Sequence, residues 1–115
     1  MPDKPTVSYD EFAKLDLRVA KVVTVREHPN ADKLLLLEID LGPLGSRQIV
    51  AGIRPYYPDP QSLVGTEIVV IANLEPRTVR GQTSNGMLLA ASSDDRSQVI
   101  VLTTEQPIAP GSAIS

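Results

Sequence analysis

Two arginines three residues apart, Arg77 and Arg80, stand in a stretch from Pro76 to Ser93 that contains no Asp or Glu. The whole chain has 14 acidic against 11 basic residues and a formal net charge of −3, so this gap is a local feature. Thr78, Gln82, Thr83, Ser84 and Asn85 fill it with uncharged donors. An arginine guanidinium is a planar fork that bonds two oxygens at once, whereas a lysine ammonium acts as a compact point charge. Lys33, at the end of His28-Pro29-Asn30-Ala31-Asp32-Lys33, supplies such a charge from a second turn. Together these residues suit capture of an anion, above all a phosphate backbone. Ser84 and Asn85 suit hydrogen bonds to phosphate or a base edge. Met87 offers a polarisable surface to a base, although a methionine opening an apolar strand more often belongs to a core. A solvated hairpin with two surface arginines has the same composition, so composition by itself leaves both readings open.

Other chemistries find little support. There is one histidine, no cysteine, no G-x-S-x-G and no G-x-x-x-x-G-K-[ST]. His28 with Asp32 falls short of the three or four ligands of a zinc site, and a histidine beside Pro29 in a turn reads as structural. Asp94 and Asp95 are ordinary turn residues. The expectation is therefore a binding protein with no catalytic residues, no metal and no cofactor. Without cysteine there is no disulfide framework, which fits a reducing, cytoplasmic setting. Met1–Pro5 lacks the apolar run of a secretory leader, and no segment approaches the ~18 apolar residues that span a bilayer, so no membrane partner is expected. Aromatic residues make up 3% of the chain, and Tyr9, Tyr56 and Tyr57 lie away from the cationic stretch. The stacking platform used for single strands is missing, which favours recognition of a folded RNA by shape and backbone.

These side chains need a rigid frame, and the patterning describes one. Residues 1–7 read as a loose tail. Ser8-Tyr9-Asp10-Glu11 fits a capping box, which predicts a short helix to about Lys14, with Phe12 packing it onto the body of the domain. From Leu15 the period changes to two. Leu17, Val19, Val23 and Val25 share a face that Lys21 interrupts, so a bulge that exchanges the faces is expected. Strands follow at 34–41 and 47–53 around the turn Gly42–Gly45, then at 66–74, 86–91 and 98–102. Pro55, Pro58 and Pro60 forbid a long helix between the third and fourth, and Leu63–Gly65 fits a helical turn. The stretch between the fourth and fifth strands reads as a loop. Residues 103–115 form an extension in which Ile108 and Ile114 are available to dock, onto the barrel or onto a second copy. The predicted fold is all-β, a single domain over 1–115: an OB-fold five-stranded barrel with a short N-terminal helix and a C-terminal extension. In such a barrel the loop after the first strand and the loop after the fourth flank one binding face, so Lys33, Arg77 and Arg80 are expected to converge.

The segments H-P-N-A-D-K-L (28–34), R-Q-I-V-A-G-I (47–53), Y-Y-P (56–58), A-N-L-E-P-R (72–77), R-G-Q-T-S-N-G-M-L-L-A-A-S (80–92) and P-G-S (110–112) occur in this order. Over about residues 9–115 the chain resembles the tRNA-binding domain family. That family includes free-standing tRNA-binding proteins and the C-terminal extensions of methionyl-tRNA synthetases. The resemblance implies an OB fold, homodimers among free-standing members, and binding of tRNA at the outer corner of its L shape without selecting an anticodon. By position, Lys33, Arg77, Arg80, Ser84 and Met87 match residues the family uses at its RNA-binding face, and Asn85 lies in the same motif. Glu75, Thr78 and Val79 stand where many relatives carry lysines, which implies weak and salt-sensitive binding. A methionyl-tRNA synthetase is an implied partner. Dimeric protein-export chaperones of the CsaA type share the resemblance, and their ligand would be an extended peptide. An assembly domain without a ligand is the third reading.

Overall fold

The computed structural model describes residues 3–115; Met1 and Pro2, where the tail and leader readings begin, lie outside the described residues. The chain runs helix α1 (Tyr9–Ala13), then β1 (Leu17–Glu27), β2 (Leu35–Asp40), β3 (Ser46–Ala51), β4 (Glu67–Ile71), β5 (Arg77–Val79), β6 (Gln82–Ser84), β7 (Met87–Leu88), β8 (Ala90–Ser92), β9 (Val99–Val101) and β10 (Ala113–Ile114). The main sheet has the order β3-β2-β1-β4-β7, with every pairing antiparallel. β1 is the pivot. Its first half pairs with β4, and its second half with β2.

A register shift between Val22 and Thr24 lets β1 change neighbours, as Lys21 and Val22 in the sequence predict. The bulge also moves one residue to the other side. Val25 points inward as expected, but Val23, expected on the same apolar face, is exposed, and Ala20 and Val22 point inward in its place. The ring closes between β3 and the end of β6. There the Ser84 hydroxyl accepts from Val50 N–H at 2.9 Å, and Asn85 N–H donates to the Gln48 carbonyl at 2.9 Å. This nearly closed five-strand barrel is the predicted OB-type fold. Its core is aliphatic, with Leu35, Leu37, Ile39, Ile49, Ile68 and Val70 all buried. Each contributes about 1.5–3 kcal/mol on burial.

Elsewhere the structure departs from the patterning for identifiable reasons. The single fifth strand expected at 86–91 is two. β7 pairs with β4, and after Leu89, whose N–H reaches the Val69 carbonyl at 3.0 Å, the chain turns off to pair β8 with β9. The proline-rich connection forms two 3-10 turns, Arg54–Tyr56 and Pro60–Leu63, each with a proline in its first turn. The capping box is present: Ser8 Oγ accepts from Glu11 N–H at 3.1 Å, and Ser8 N–H donates to Glu11 Oε1 at 3.1 Å. Phe12 does not pack α1 onto the barrel. No residue of α1 is buried, and the Phe12 ring lies 6.5 Å from that of Tyr9. The helix is instead tied down just past its end. Asn73 Nδ2 donates to the Lys14 carbonyl at 2.7 Å, and Asn73 Oδ1 accepts from Asp16 N–H at 2.8 Å.

The C-terminal extension returns to β1, where β10 pairs with Leu17 and Arg18. Gly111 N–H donates to the Val19 carbonyl at 2.7 Å, and Arg18 reaches the Gly111 carbonyl at 2.9 Å. Gly111 has φ +87, and a Cβ there would overlap the Leu41 carbonyl, so only glycine fits this approach. Ile108 remains half exposed, while its N–H is held by both carboxylate oxygens of Glu67. Among the described residues, no helix is long and apolar enough to cross a membrane.

Candidate nucleic-acid interface

The donor-rich segment predicted as a loop is a β-hairpin. β5 and β6 pair Arg77 with Ser84, Thr78 with Thr83 and Val79 with Gln82, and the two-residue turn is Arg80-Gly81. Both turn residues have positive φ, +52 and +85, the type I′ arrangement that matches the twist of a short hairpin. Gly81 adopts it freely. Arg80 does so against the steric preference of an L side chain, at about 1 kcal/mol. The Arg-Gly dipeptide is the sequence signal for this turn, less familiar than Asn-Gly. Its exposed tip presents a guanidinium.

Polar clasps hold the hairpin on the barrel. Gln48 on β3 donates from Nε2 to the Thr83 carbonyl at 2.9 Å and to Gln82 Oε1 at 3.3 Å. Its Oε1 accepts from Arg26 at 3.3 Å, which draws that arginine toward the hairpin. At the hairpin base the Ser84 hydroxyl accepts from Val50 N–H and donates to the Gly86 carbonyl at 3.0 Å. Ser84 is 3% exposed. Its expected role as a donor to phosphate or a base is therefore corrected, because its one O–H is already spent inside the fold. At the tip, buried His28 reaches the Val79 carbonyl at 3.0 Å.

Lys33, Arg77, Arg80 and Met87 divide between two depressions, one at the tip of the hairpin and one at its base. Lys33 and Arg80, 47 positions apart, line one of about 440 Å³ with Ala31, Asp32 and Leu34. Arg77 and Met87 line a second, of about 410 Å³, with Leu74, Glu75 and Pro76. Met87 is 40% exposed, so it is available to a ligand and is not core. Asn85 is half-buried, with its backbone N–H engaged by Gln48. Arg26 and Gln48 were not singled out by the sequence. The available signal for Arg26 is its place on the polar face of β1, and Gln48 carries none until the strand register is known. Among the described residues, ion pairs form only between Arg18 and Asp16 and between Arg54 and Glu27, so Arg26, Lys33, Arg77 and Arg80 are unneutralised. Asp32 and Glu75 share the two depressions and moderate their potential. The arrangement can bind a polyanion through a few well-placed forks.

An OB-type barrel with a cationic hairpin near the loop after its first strand falls in the OB-fold class of small barrels, whose members bind oligonucleotides and oligosaccharides. Residues 17–113 match the family described as "Putative tRNA binding domain", and the chain belongs to this tRNA-binding domain family. It is 51% identical over 108 residues to the methionine–tRNA ligase of Thermococcus kodakarensis, a match that covers 94% of this chain and 14% of the ligase. The chain thus spans about a seventh of that relative's length. Among solved structures, the methionyl-tRNA synthetase related protein of Pyrococcus horikoshii superposes with a TM-score of 0.90 at 28% identity, covering 97% of this chain and all of the other. The chaperone CsaA of Bacillus anthracis superposes with a TM-score of 0.86 at 32% identity, covering 96% and 100%.

Proposed function

We propose that this chain binds tRNA by its shape and phosphate backbone, without reading an anticodon, as a free-standing homodimeric module or as a detached subunit that delivers tRNA to a methionyl-tRNA synthetase. The observation that carries the reading is the meeting of Lys33 with Arg80 in one depression at the tip of the hairpin that carries Arg77 at its base, in a member of the tRNA-binding domain family. Arg77 and Arg80 grip phosphate oxygens, Lys33 adds a point charge, Met87 faces a base, and Asn85 offers an amide nearby. Ser84 supports the hairpin from within.

Pairing of two copies is supported by an apolar row on the outside of the barrel. Ile114, Leu17 and Ile71 are neighbours across three strands, on the face of β1 opposite Ala20, and Phe12 and Leu15 stand exposed at the same end of β1. A closed two-fold contact between such faces would be isologous.

The test is filter retention of several tRNAs at two salt concentrations, with wild type and an Arg77→Ala/Arg80→Ala variant. Similar retention of all the tRNAs is expected, with a salt slope that falls in the variant by about 2 for each protomer that grips the RNA, one unit per lost phosphate contact. No retention by wild type at low salt would sink the reading. The chaperone reading, supported by the CsaA likeness and the apolar wall of Leu74, Pro76 and Met87, would then lead, and binding of an extended peptide is its measurement.

A further inference from the structure

Among the described residues, His28 is the one buried titratable side chain, and the tRNA-binding reading leaves it unused. It is 3% exposed, and both ring nitrogens are engaged. Nδ1 lies 3.0 Å from Asn30 N, whose N–H donates to it. Nε2 lies 3.0 Å from the Val79 carbonyl oxygen, to which it must donate. A backbone N–H requires a lone pair on Nδ1, and a carbonyl requires a proton on Nε2, so the partners together assign the neutral Nε2–H tautomer.

The two partners belong to different loops. His28 N–H also donates to the Leu34 carbonyl at 3.1 Å, closing the turn that carries Lys33. Val79 immediately precedes Arg80 at the hairpin tip. We propose that His28 is a positioning residue that locks the Lys33 turn to the Arg80 turn, so that the two cations meet a phosphate backbone as one preformed site. The inference rests on the tRNA-binding reading and adds to it. Of the other clasps, Ser84 holds the hairpin base and Gln48 holds β6 at Gln82 and Thr83 from β3, and neither ties the hairpin to the Lys33 turn. Without the imidazole, the strained Arg80 conformation loses its nearest tether to the first loop.

The test is a set of double-mutant cycles on tRNA affinity at one salt concentration and well below the unfolding temperature, combining His28→Leu with Arg80→Ala and separately with Arg77→Ala. His28→Leu alone is expected to weaken binding about threefold to tenfold, the range for losing one hydrogen bond. Combined with Arg80→Ala, it should add less than about twofold, because coupled residues are not additive. Combined with Arg77→Ala, its effect should multiply in full. His28→Gln, whose amide nitrogen stands near the position of Nε2, should recover most of the loss. Equal, multiplicative effects with both arginines would overturn the proposal, and so would a failure of His28→Gln to recover binding.

A second readout needs no RNA. Long-range 15N–1H spectra of the wild-type imidazole should show a protonated Nε2 and a bare Nδ1, and the backbone amides of Lys33 and Arg80 should both shift in His28→Gln. The opposite tautomer, or amide shifts confined to one loop, overturns the proposal even if His28→Leu does not fold. If wild type retains no tRNA, the functional reading falls by itself, and the spectra still decide whether His28 joins the two turns.

Discussion

Arg80 ties the stability of the hairpin to its use, because φ +52 favours asparagine or glycine over arginine. Arg80→Asn should therefore raise unfolding free energy by about 0.5–1 kcal/mol in urea titration while weakening tRNA retention. Opposite signs from one substitution mark a residue kept for its charge. If Arg80→Asn is destabilising, the turn is not strained and the argument fails. Ser84→Ala should behave in the other way. It leaves Val50 N–H and the Gly86 carbonyl without their partner and should cost about 1–3 kcal/mol. Affinity measured on the folded fraction should change far less than in the arginine variants. The sequence showed Ser84 and Arg80 as equal members of a donor-rich stretch. It could not separate them, because burial depends on how β6 lies against β3, a contact between residues 34 apart.

Elements with a local cause were legible, and those set by distant partners were not. The capping box, the β1 bulge, the Gly42–Gly45 turn and the alternation of β2 each follow from residues within a few positions of one another. The hairpin β5–β6 stands in the sequence only as an alternative to a loop, because its strands are three residues each and polar, too short for a period to register. The split of β7 from β8 was missed because it is a change of partner, invisible in an unbroken run of Met87, Leu88, Leu89 and Ala90. The C-terminal extension offers a check at this scale. Gly111→Ala forces a side chain into positive φ and against the Leu41 carbonyl, and should cost about 2 kcal/mol or more, read as a lower urea midpoint with β10 amides exchanging first. The turn between β8 and β9 offers a milder one. The backbone N–H of Ser97, then the hydroxyls of Ser97 and Ser93, hold the Asp95 carboxyl below its ordinary 3.8. A depressed carboxyl adds stability that is present above its unfolded value and lost as pH falls through the folded one. In an acid titration the midpoint of the Ser97 amide shift should thus fall below pH 3.8, and a midpoint at or above that value would contradict the turn.

At the scale of the molecule, a net charge of −3 means that distant charges repel RNA and only the local cationic face attracts it. If Lys33, Arg77 and Arg80 each meet one phosphate, as proposed, log affinity should fall with log salt at a slope of about −2.7 for one protomer and about −5.4 for two protomers on one RNA. The slope therefore counts protomers. Phe12 provides the means to vary that number. It is 39% exposed and belongs to a helix with no buried residue, so a charge there scarcely disturbs the isolated fold, yet it would be buried and unpaired in a two-fold contact over α1 and the Leu17–Ile114 row. Phe12→Asp should leave the urea midpoint of dilute protein nearly unchanged and reduce the sedimenting mass from dimer to monomer. The salt slope should halve, and affinity at low salt should drop by about 100-fold or more as the second attachment is lost. If wild type sediments as a monomer, α1 and its row are not a self-association face. If it is a dimer whose slope is already near −2.7, the two cationic faces do not reach one tRNA together, and each copy binds its own.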